Sequence, residues 1–556
     1  QQLLAFATAV GGIDIDNCEN DVFAPYIKNL ENDFSNDNDL CDAIKTLCEK
    51  EVADTLITPL QPDLVGEYNF IYEMQCIRSA KKKKELLKTF LSTDYIDYFC
   101  TFMERCYADW YNEEYLSTLT DMIIHIIIEM NDENIAFQYS KVLFTITYNV
   151  NDYMINLSYA EKIDSFLEEY KTERIALAYA NALVNSSYIA NSYEKSLDQA
   201  DKIKILLNEY KSEVIAQKYS EVLTNVSKIA NNYHDVIKQI DKIKVLFMDY
   251  GTNEIVLAYA SALTNASGKS NNYIQSLIHA YQIKILLNYY EMDEIAFEYA
   301  RALFNATCDT DNFDERLKQA DKIEALLQEY KTPEIALAYA QALVNVSNKA
   351  DNYDKSLKQA DKINELLKEY ETPEIALKYA KALFNATCVT DNFDERLEQA
   401  DKINELLKEY KTPEIALEYA QVLVNVSNKA DNYDKSLKQA NKINELLKYY
   451  KTSKIALKYA KALASTALNS DNCNTIISYK TAIYNLYQEY KTLEFAECYA
   501  MILAILSFNL DTADEIKNIC LAGIDEIKAD GFNSQKILDM EEYINEDLSD
   551  ILNQQN

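Results

Sequence analysis

Tyrosine returns at a forty-residue step through Tyr139, Tyr179, Tyr219, Tyr259, Tyr299, Tyr339, Tyr379, Tyr419, Tyr459 and Tyr499. A second series keeps the same step from Tyr170, Tyr210 and Tyr250 to Tyr490. A fixed period of that length marks a stack of like supersecondary units, none of which can bury its apolar face without a neighbour. About ten such units fill residues 131–510, leaving residues 1–130 as a head and 511–556 as a tail. A stack of this kind offers a surface for holding another molecule rather than a reaction vessel.

The unit that begins at Thr332 gives the anatomy. Thr332 suits a helix N-cap, and Pro333 suits the first helical position, where its missing N–H costs nothing. Glu334 favours the positive end of the helix dipole. Ala336, Tyr339, Ala340, Leu343 and Ser347 recur at helical spacing and form the buried stripe of a first helix, A. A second helix, B, starts near Asp351 and turns Leu357, Ala360, Ile363, Leu366, Leu367 and Tyr370 inward. With only seven Gly, six Pro and 48% hydrophobic residues, the chain reads as all-α. The expected architecture is a right-handed α-solenoid of about ten helical hairpins behind a helical head, closed by acidic C-terminal capping helices.

The phrase Asn352-Tyr353-Asp354-Lys355-Ser356-Leu357 resembles the opening of the second helix of a tetratricopeptide repeat. Ala360 and Ile363 match that family's small and aliphatic packing positions, and Tyr339-Ala340 with Leu343 resembles its first-helix core. The unit is longer than the family's ~34 residues and falls in the length range of HEAT and armadillo repeats. Its family-type Gly positions are Ala or Asn. The reading is a tetratricopeptide-like array with lengthened helices. Units near 291 and 371 share FNATC-x-TDNFDER, and those near 331 and 411 share VNVSNKADNYDKSLKQA, so a two-unit block is itself repeated.

One polar position barely varies. Asn185, Asn225, Asn265, Asn305, Asn345, Asn385 and Asn425 hold the same place in successive units, replaced by Thr145 before them and Ser465 after. Asn345 lies about 200° round its helix from Leu343, away from the buried stripe. The row resembles the asparagine ladder in the tetratricopeptide domain of O-GlcNAc transferase, which implies a concave groove whose amides grip the backbone of an extended peptide. A carboxamide donates and accepts, so it can pair with any peptide backbone. The neighbouring position runs Asn181, Glu221, Ser261, Arg301, Gln341, Lys381, Gln421 and Lys461, as sequence-reading beside a constant grip requires. Arg301, Lys381 and Lys461 are thus candidate peptide contacts with the asparagines. The competing reading has the amides hydrogen-bonding between repeats in a passive scaffold for a multiprotein assembly. Each Asn also heads an N-x-[ST] triplet, a poor glycosylation acceptor inside a regular helix.

Net charge is −34 with a pI near 4.5. Phosphate binding needs clustered Lys and Arg, so nucleic acid and anionic membrane are not expected partners. A protein or peptide ligand, basic or neutral, is. The eleven cysteines form no CxxC pair, and Cys41 with Cys48 and Cys100 with Cys106 have helix-face spacing, which fits reduced thiols in a cytoplasmic protein. No signal peptide and no spanning apolar run occur, Met122 to Ile128 being far too short. No phosphate loop, nucleophile elbow or HExxH stands in the chain, and His125, His234 and His279 lack metal spacing, so no enzyme activity, metal or cofactor is expected.

Two phrases in the head carry a second resemblance. Leu3-Leu4-Ala5-Phe6-Ala7 followed by Gly11-Gly12-Ile13-Asp14, and Leu60-Gln61-Pro62-Asp63-Leu64-Val65-Gly66-Glu67-Tyr68, resemble the two ends of the winged-helix segment in STAND-type NTPases. Gln1 to Phe6 reads as the middle of a helix, so the chain is expected to be the C-terminal part of something longer. The resemblance implies an upstream ATPase, oligomerisation through it, and repeats acting as the sensor arm in defence or signalling.

Overall fold

The structure is a computed structural model that describes residues 2–14, 22–26, 56–57, 59 and 63–555. Gln1, Cys41, Cys48 and the Leu60-Gln61-Pro62 part of the second phrase lie outside the described residues.

Each repeat is the expected helical hairpin. In the unit analysed above, the A helix is Pro333–Ser347 and the B helix Tyr353–Tyr370. The start signals work as anticipated. Thr332 Oγ1 accepts from Ile335 N at 3.3 Å, and Asn352 Oδ1 accepts from Lys355 N at 2.9 Å. The B helix stops by a device the sequence hides. The residue after the second-series tyrosine takes the left-handed conformation, with φ of 51° at Lys331, 48° at Glu371 and 51° at Lys411. Its N–H closes the last turn, Lys331 N to Leu327 O at 2.9 Å. Glycine is the usual occupant of such a cap, and only Gly251 supplies it here. Lys331→Gly is therefore expected to stabilise the chain by about 0.5–1 kcal/mol, the relief of αL strain exceeding the entropy a glycine adds to the unfolded state. A lower urea midpoint for the variant disproves that account.

Tyr339, Ala340, Leu343, Ala360, Ile363 and Leu366 form the hairpin core and are all nearly inaccessible. The period-defining tyrosine buries its ring and reaches a polar partner at the rim, with Lys362 Nζ donating to Tyr339 Oη at 3.1 Å. Ala336, Ala340 and Ala342 are fully buried and let neighbouring backbones approach. Within each unit, successive A helices pack closely on one another, whereas successive B helices scarcely touch. Long side chains bridge the wider B layer. Gln199 donates to Tyr153 Oη at 3.0 Å and Gln239 to Tyr193 Oη at 2.9 Å. Gln319 and Gln399 do the same to Tyr273 and Tyr353 at 2.8 and 2.6 Å. Where the repeated block has Phe313 or Phe393 instead, Lys355 or Lys435 lies over the ring at 5.3 or 4.9 Å.

The chain divides into two compact units, Gln1–Lys269 and Ser270–Asn556. That division falls between the A helix Asn253–Lys269 and the B helix Tyr273–Tyr290 of one repeat. The helices Asp63–Cys76, Ala80–Phe90, Ile96–Trp110 and Glu114–Met130 precede the first repeat, and Ile96–Trp110 packs on its A helix, Glu133–Asn149. Phe6, Phe70, Phe90 and Phe99 make an aromatic core beneath the opening helix Gln2–Val10. The head is not purely helical. A two-residue antiparallel ladder pairs β1 (Ile13–Asp14) with β2 (Leu56–Ile57). Gly11 ahead of it has φ 79°, and a Cβ there would come within 2.7 Å of the Tyr98 ring. At the other end, Gln535–Gln555 packs on the A helix Leu493–Ser507 and buries Ile537 and Ile544.

Candidate functional site

The asparagine row occupies the seam between successive A helices. Asn185 Nδ2 donates to Thr147 Oγ1 at 3.1 Å, Asn225 Nδ2 to Ser187 O at 2.6 Å, and Asn265 Nδ2 to Ser227 Oγ at 2.8 Å. In the second unit, Asn345 donates to Thr307 Oγ1 at 2.9 Å, Asn385 to Ser347 Oγ at 2.8 Å, and Asn425 to Thr387 Oγ1 at 3.1 Å. Asn305 is not free either. Apart from Thr147, which follows Thr145, the accepting residues are the third members of the N-x-[ST] triplets. Each hydroxyl donates back to its own helix, Thr307 Oγ1 to Phe304 O at 2.6 Å and Ser347 Oγ to Val344 O at 2.9 Å. That turns its lone pairs toward the amide of the next repeat. The triplet is thus an interlocking pair read in two registers: its Asn reaches back one repeat, and its Ser or Thr receives the Asn of the repeat ahead. At the end of the row Ser465 donates to Asn428 Oδ1 instead.

Asn185, Asn225, Asn265, Asn305, Asn345, Asn385 and Asn425 were expected either to grip a peptide from an open channel or to hydrogen-bond between repeats, and Asn185, Asn225, Asn265, Asn345, Asn385 and Asn425 each donate to the neighbouring A helix. A helix in a stack has neighbours on several sides, so a face turned away from its own hairpin partner meets the A helix of the adjoining repeat. The Nδ2 groups of Asn185, Asn225, Asn265, Asn345, Asn385 and Asn425 donate there.

A second staple was not visible in the sequence. Arg316 and Arg396 stand where sister units carry Ser356 and Ser436, and both guanidinium groups are buried. Arg396 Nε and Nη1 donate to Thr390 O at 2.9 Å and Asn425 O at 2.7 Å. Arg316 makes the equivalent bonds to Thr310 O and Asn345 O, both at 2.7 Å. The only earlier trace was the word DER in alternate units.

The variable row lies on the accessible side of the A layer. Arg301 Nη1 pairs with Glu298 at 3.0 Å and its guanidinium lies 5.6 Å from the Phe297 ring centre. Lys381 and Lys461 are brought into one strip with Lys378 and Lys458 around the buried Glu418. Desolvation, and then the neighbouring Lys381, hold the Lys378 ammonium below the usual lysine range. Burial pushes the Glu418 carboxyl up, and Gln421 Nε2 donates to it at 3.0 Å. The anticipated basic or neutral ligand came from net charge, which averages over every solvated face. This stretch of the A face is locally cationic.

The strip runs into a cavity of about 400 Å³ lined by Lys461, Cys498, Met501, Lys536 and Met540, with Glu494 and Glu497 among its walls. Met501 and Met540 are shared with an adjoining cavity of about 510 Å³ whose walls include Leu468, Ile505, Phe508 and Tyr543. No group of residues suited to hold a metal ion occurs among the described residues, and no described helix is long and apolar enough to cross a membrane. The described cysteines are free thiols. In the head, Glu67 of the second phrase is buried with Arg105 Nε at 3.5 Å. Burial, and then the nearby Asp109, raise its pKa.

No family model matches the chain, and no curated protein matches it. Among solved structures it is similar to Kap121p bound to Ste12p, at 14% identity and TM-score 0.33, over 95% of this chain and 57% of that one. Yeast Tom70 is similar at 12% identity and TM-score 0.29, over 87% and 95%. The S. pombe condensin Cnd3-Cnd2 subcomplex is similar at 10% and 0.31, over 99% and 81%. The chain spans somewhat over half the length of the Kap121p chain it matches. Likenesses of this size carry no argument about a site. The helical repeat array rests on the helices described above.

Proposed function

We propose that the chain is a non-catalytic binding array that takes a protein or extended peptide along its A-helix face, without cofactor and in the cytoplasm. The observation that carries this reading is the pair of cavities joined through Met501 and Met540 at the end of the lysine strip. An apolar pocket with a few convergent polar groups is the default place for a ligand side chain, and methionine walls adapt to varied shapes. The asparagines serve cohesion, so recognition falls to Lys381, Lys461 and the cavity walls. The test is a displayed peptide library panned against the whole chain, with recovered peptides titrated onto wild type and onto Met501→Asp/Met540→Asp. Recovered peptides should bind the variant at least tenfold more weakly while its circular dichroism is unchanged. Peptides that bind both equally, or no enrichment at all, end the proposal.

The finer reading places the array as the sensor arm of a STAND-type ATPase, supported by the two head phrases. A GxxxxGK[ST] motif in the reading frame upstream of Gln1 supports it, and a frame without one removes it. A second reading, a passive scaffold for an assembly, is favoured by one specific observation, the use of the asparagine amides between repeats.

A further inference from the structure

The registers of Ala338 and Gln341, three residues apart on one side of the A helix, hold residues that suit each other in most repeats. Sister repeats place there Lys218 with Glu221, paired at 3.2 Å, and Glu298 with Arg301, paired at 3.0 Å. Two repeats break the rule. Lys378 with Lys381, and Lys458 with Lys461, set like charges at that spacing, which disfavours a helix. None of the four ammonium groups has an ion-pair or hydrogen-bond partner among the described residues. By contrast Lys362, Lys402, Lys429 and Lys442 in the same stretch each pair with a carboxylate. Lys378 and Lys458 are half-buried. Desolvation, and then Lys461 beside it, hold the Lys458 ammonium below the usual lysine range, as burial and Lys381 do for Lys378. The fold does not require this arrangement, since other repeats form with neutral or opposite pairs.

At these two registers of the strip the one carboxylate is Glu418, buried between the two pairs and bonded by Gln421 at 3.0 Å. Glu374 and Glu414 lie a turn away, in the first turns of their helices, where the third helix has Lys454. Beyond the strip, Lys461 acts on Glu494 of the next A helix, and Glu497 is taken by Lys536 at 3.1 Å. The helices Pro373–Cys388, Pro413–Ser427 and Ser453–Leu468 pack in succession. The two pairs therefore stand two interaxial steps of roughly 8–10 Å apart. An extended chain at roughly 3.3 Å per residue covers that span in about five or six residues.

We propose that the two lysine pairs are separate carboxylate sites for one extended acidic segment of another protein, which presents Asp or Glu to each pair and uncharged residues over Glu418. This rests on the A-face reading above and names its ligand class. Unpaired ammonium groups select carboxylates by charge complementarity, and Lys, a compact charge with three rotatable donors, sets no fixed plane on them. Nucleic acid fits poorly, because a strand carries a phosphate about every 3.4 Å and would lay several against Glu418.

The test uses the whole chain and a short synthetic peptide with glutamates six residues apart, uncharged residues between them and a leucine beyond the second. One control peptide has glutamines in place of the glutamates. The variants are Lys378→Ala/Lys381→Gln and Lys458→Ala/Lys461→Gln, which install the Ala338 and Gln341 of a folded sister repeat, so neither should lower the thermal midpoint. By fluorescence anisotropy, each variant should bind the glutamate peptide at least tenfold more weakly than wild type does. The glutamine peptide should bind wild type at least tenfold more weakly than the glutamate peptide. Equal binding of the two peptides, equal binding by wild type and variants, or no binding of the glutamate peptide up to millimolar concentration overturns the proposal. An oligothymidine that binds more tightly than the peptide, and is lost in both variants, overturns it in favour of nucleic acid. Binding that both lysine variants keep and Met501→Asp/Met540→Asp loses overturns it too, and leaves the A-face reading standing. Lysine-dependent binding that the methionine variant keeps supports the carboxylate sites, and the cavity part of that reading fails instead.

Discussion

Asn345, Asn385 and Asn425 changed together to alanine should lower the unfolding free energy of the chain by about 3–6 kcal/mol, at roughly 1–2 kcal/mol for each amide hydrogen bond lost between repeats. The loss is expected in full because each amide crosses a separate interface, and distant sites add. It should appear as a lower urea midpoint followed by circular dichroism. The coupling is the sharper measurement. Asn385→Ala and Ser347→Ala remove the two ends of one bond 2.8 Å long, so a double-mutant cycle should return about 1 kcal/mol. The ligand-gripping reading expects the opposite result, capture lost and stability kept. An unchanged midpoint with zero coupling would therefore restore it.

Arg396→Ala should lower the stability of the Ser270–Asn556 unit by about 3 kcal/mol. The buried guanidinium satisfies Thr390 O in its own repeat and Asn425 O in the next. Its removal strands both carbonyls and opens a gap the size of the side chain. A lysine has one nitrogen and cannot reproduce the fork, so Arg396→Lys should recover little. Arrays of repeats hold together by nearest-neighbour terms, so weakening one interface should also make unfolding less cooperative. The expected signature is a shallower urea transition than that of wild type. Ser436→Ala, at the same register of the next repeat, should cost well under half as much. If the two substitutions prove equal, the inter-repeat role assigned to the arginine is wrong.

Some of this was legible from residues alone. Thr332, Pro333 and Asn352 announced where helices begin, and the structure puts them there because capping is local, a side chain meeting an amide two or three residues on. The left-handed cap at Lys331 was invisible, since nothing about lysine advertises positive φ. It is imposed by the need to turn the chain into the next A helix. Arg316 and Arg396 were also missed. Their partners lie 29 residues ahead, across a repeat boundary, and an arginine beside two acids reads from sequence as solvated surface.

The asparagines show the limit most clearly. Periodicity fixed that Asn345 lies off the hairpin stripe, because angle about a helix axis follows from residue number. Whether that angle meets solvent or another helix depends on how closely the repeats stack, and the small alanines of the A layer let them stack tightly enough to close the seam. The repeat, its two helices and their caps were therefore written in local chemistry. The division of each helix surface into seam, groove and free face was decided only by packing between repeats, since burial belongs to the pair of surfaces that meet.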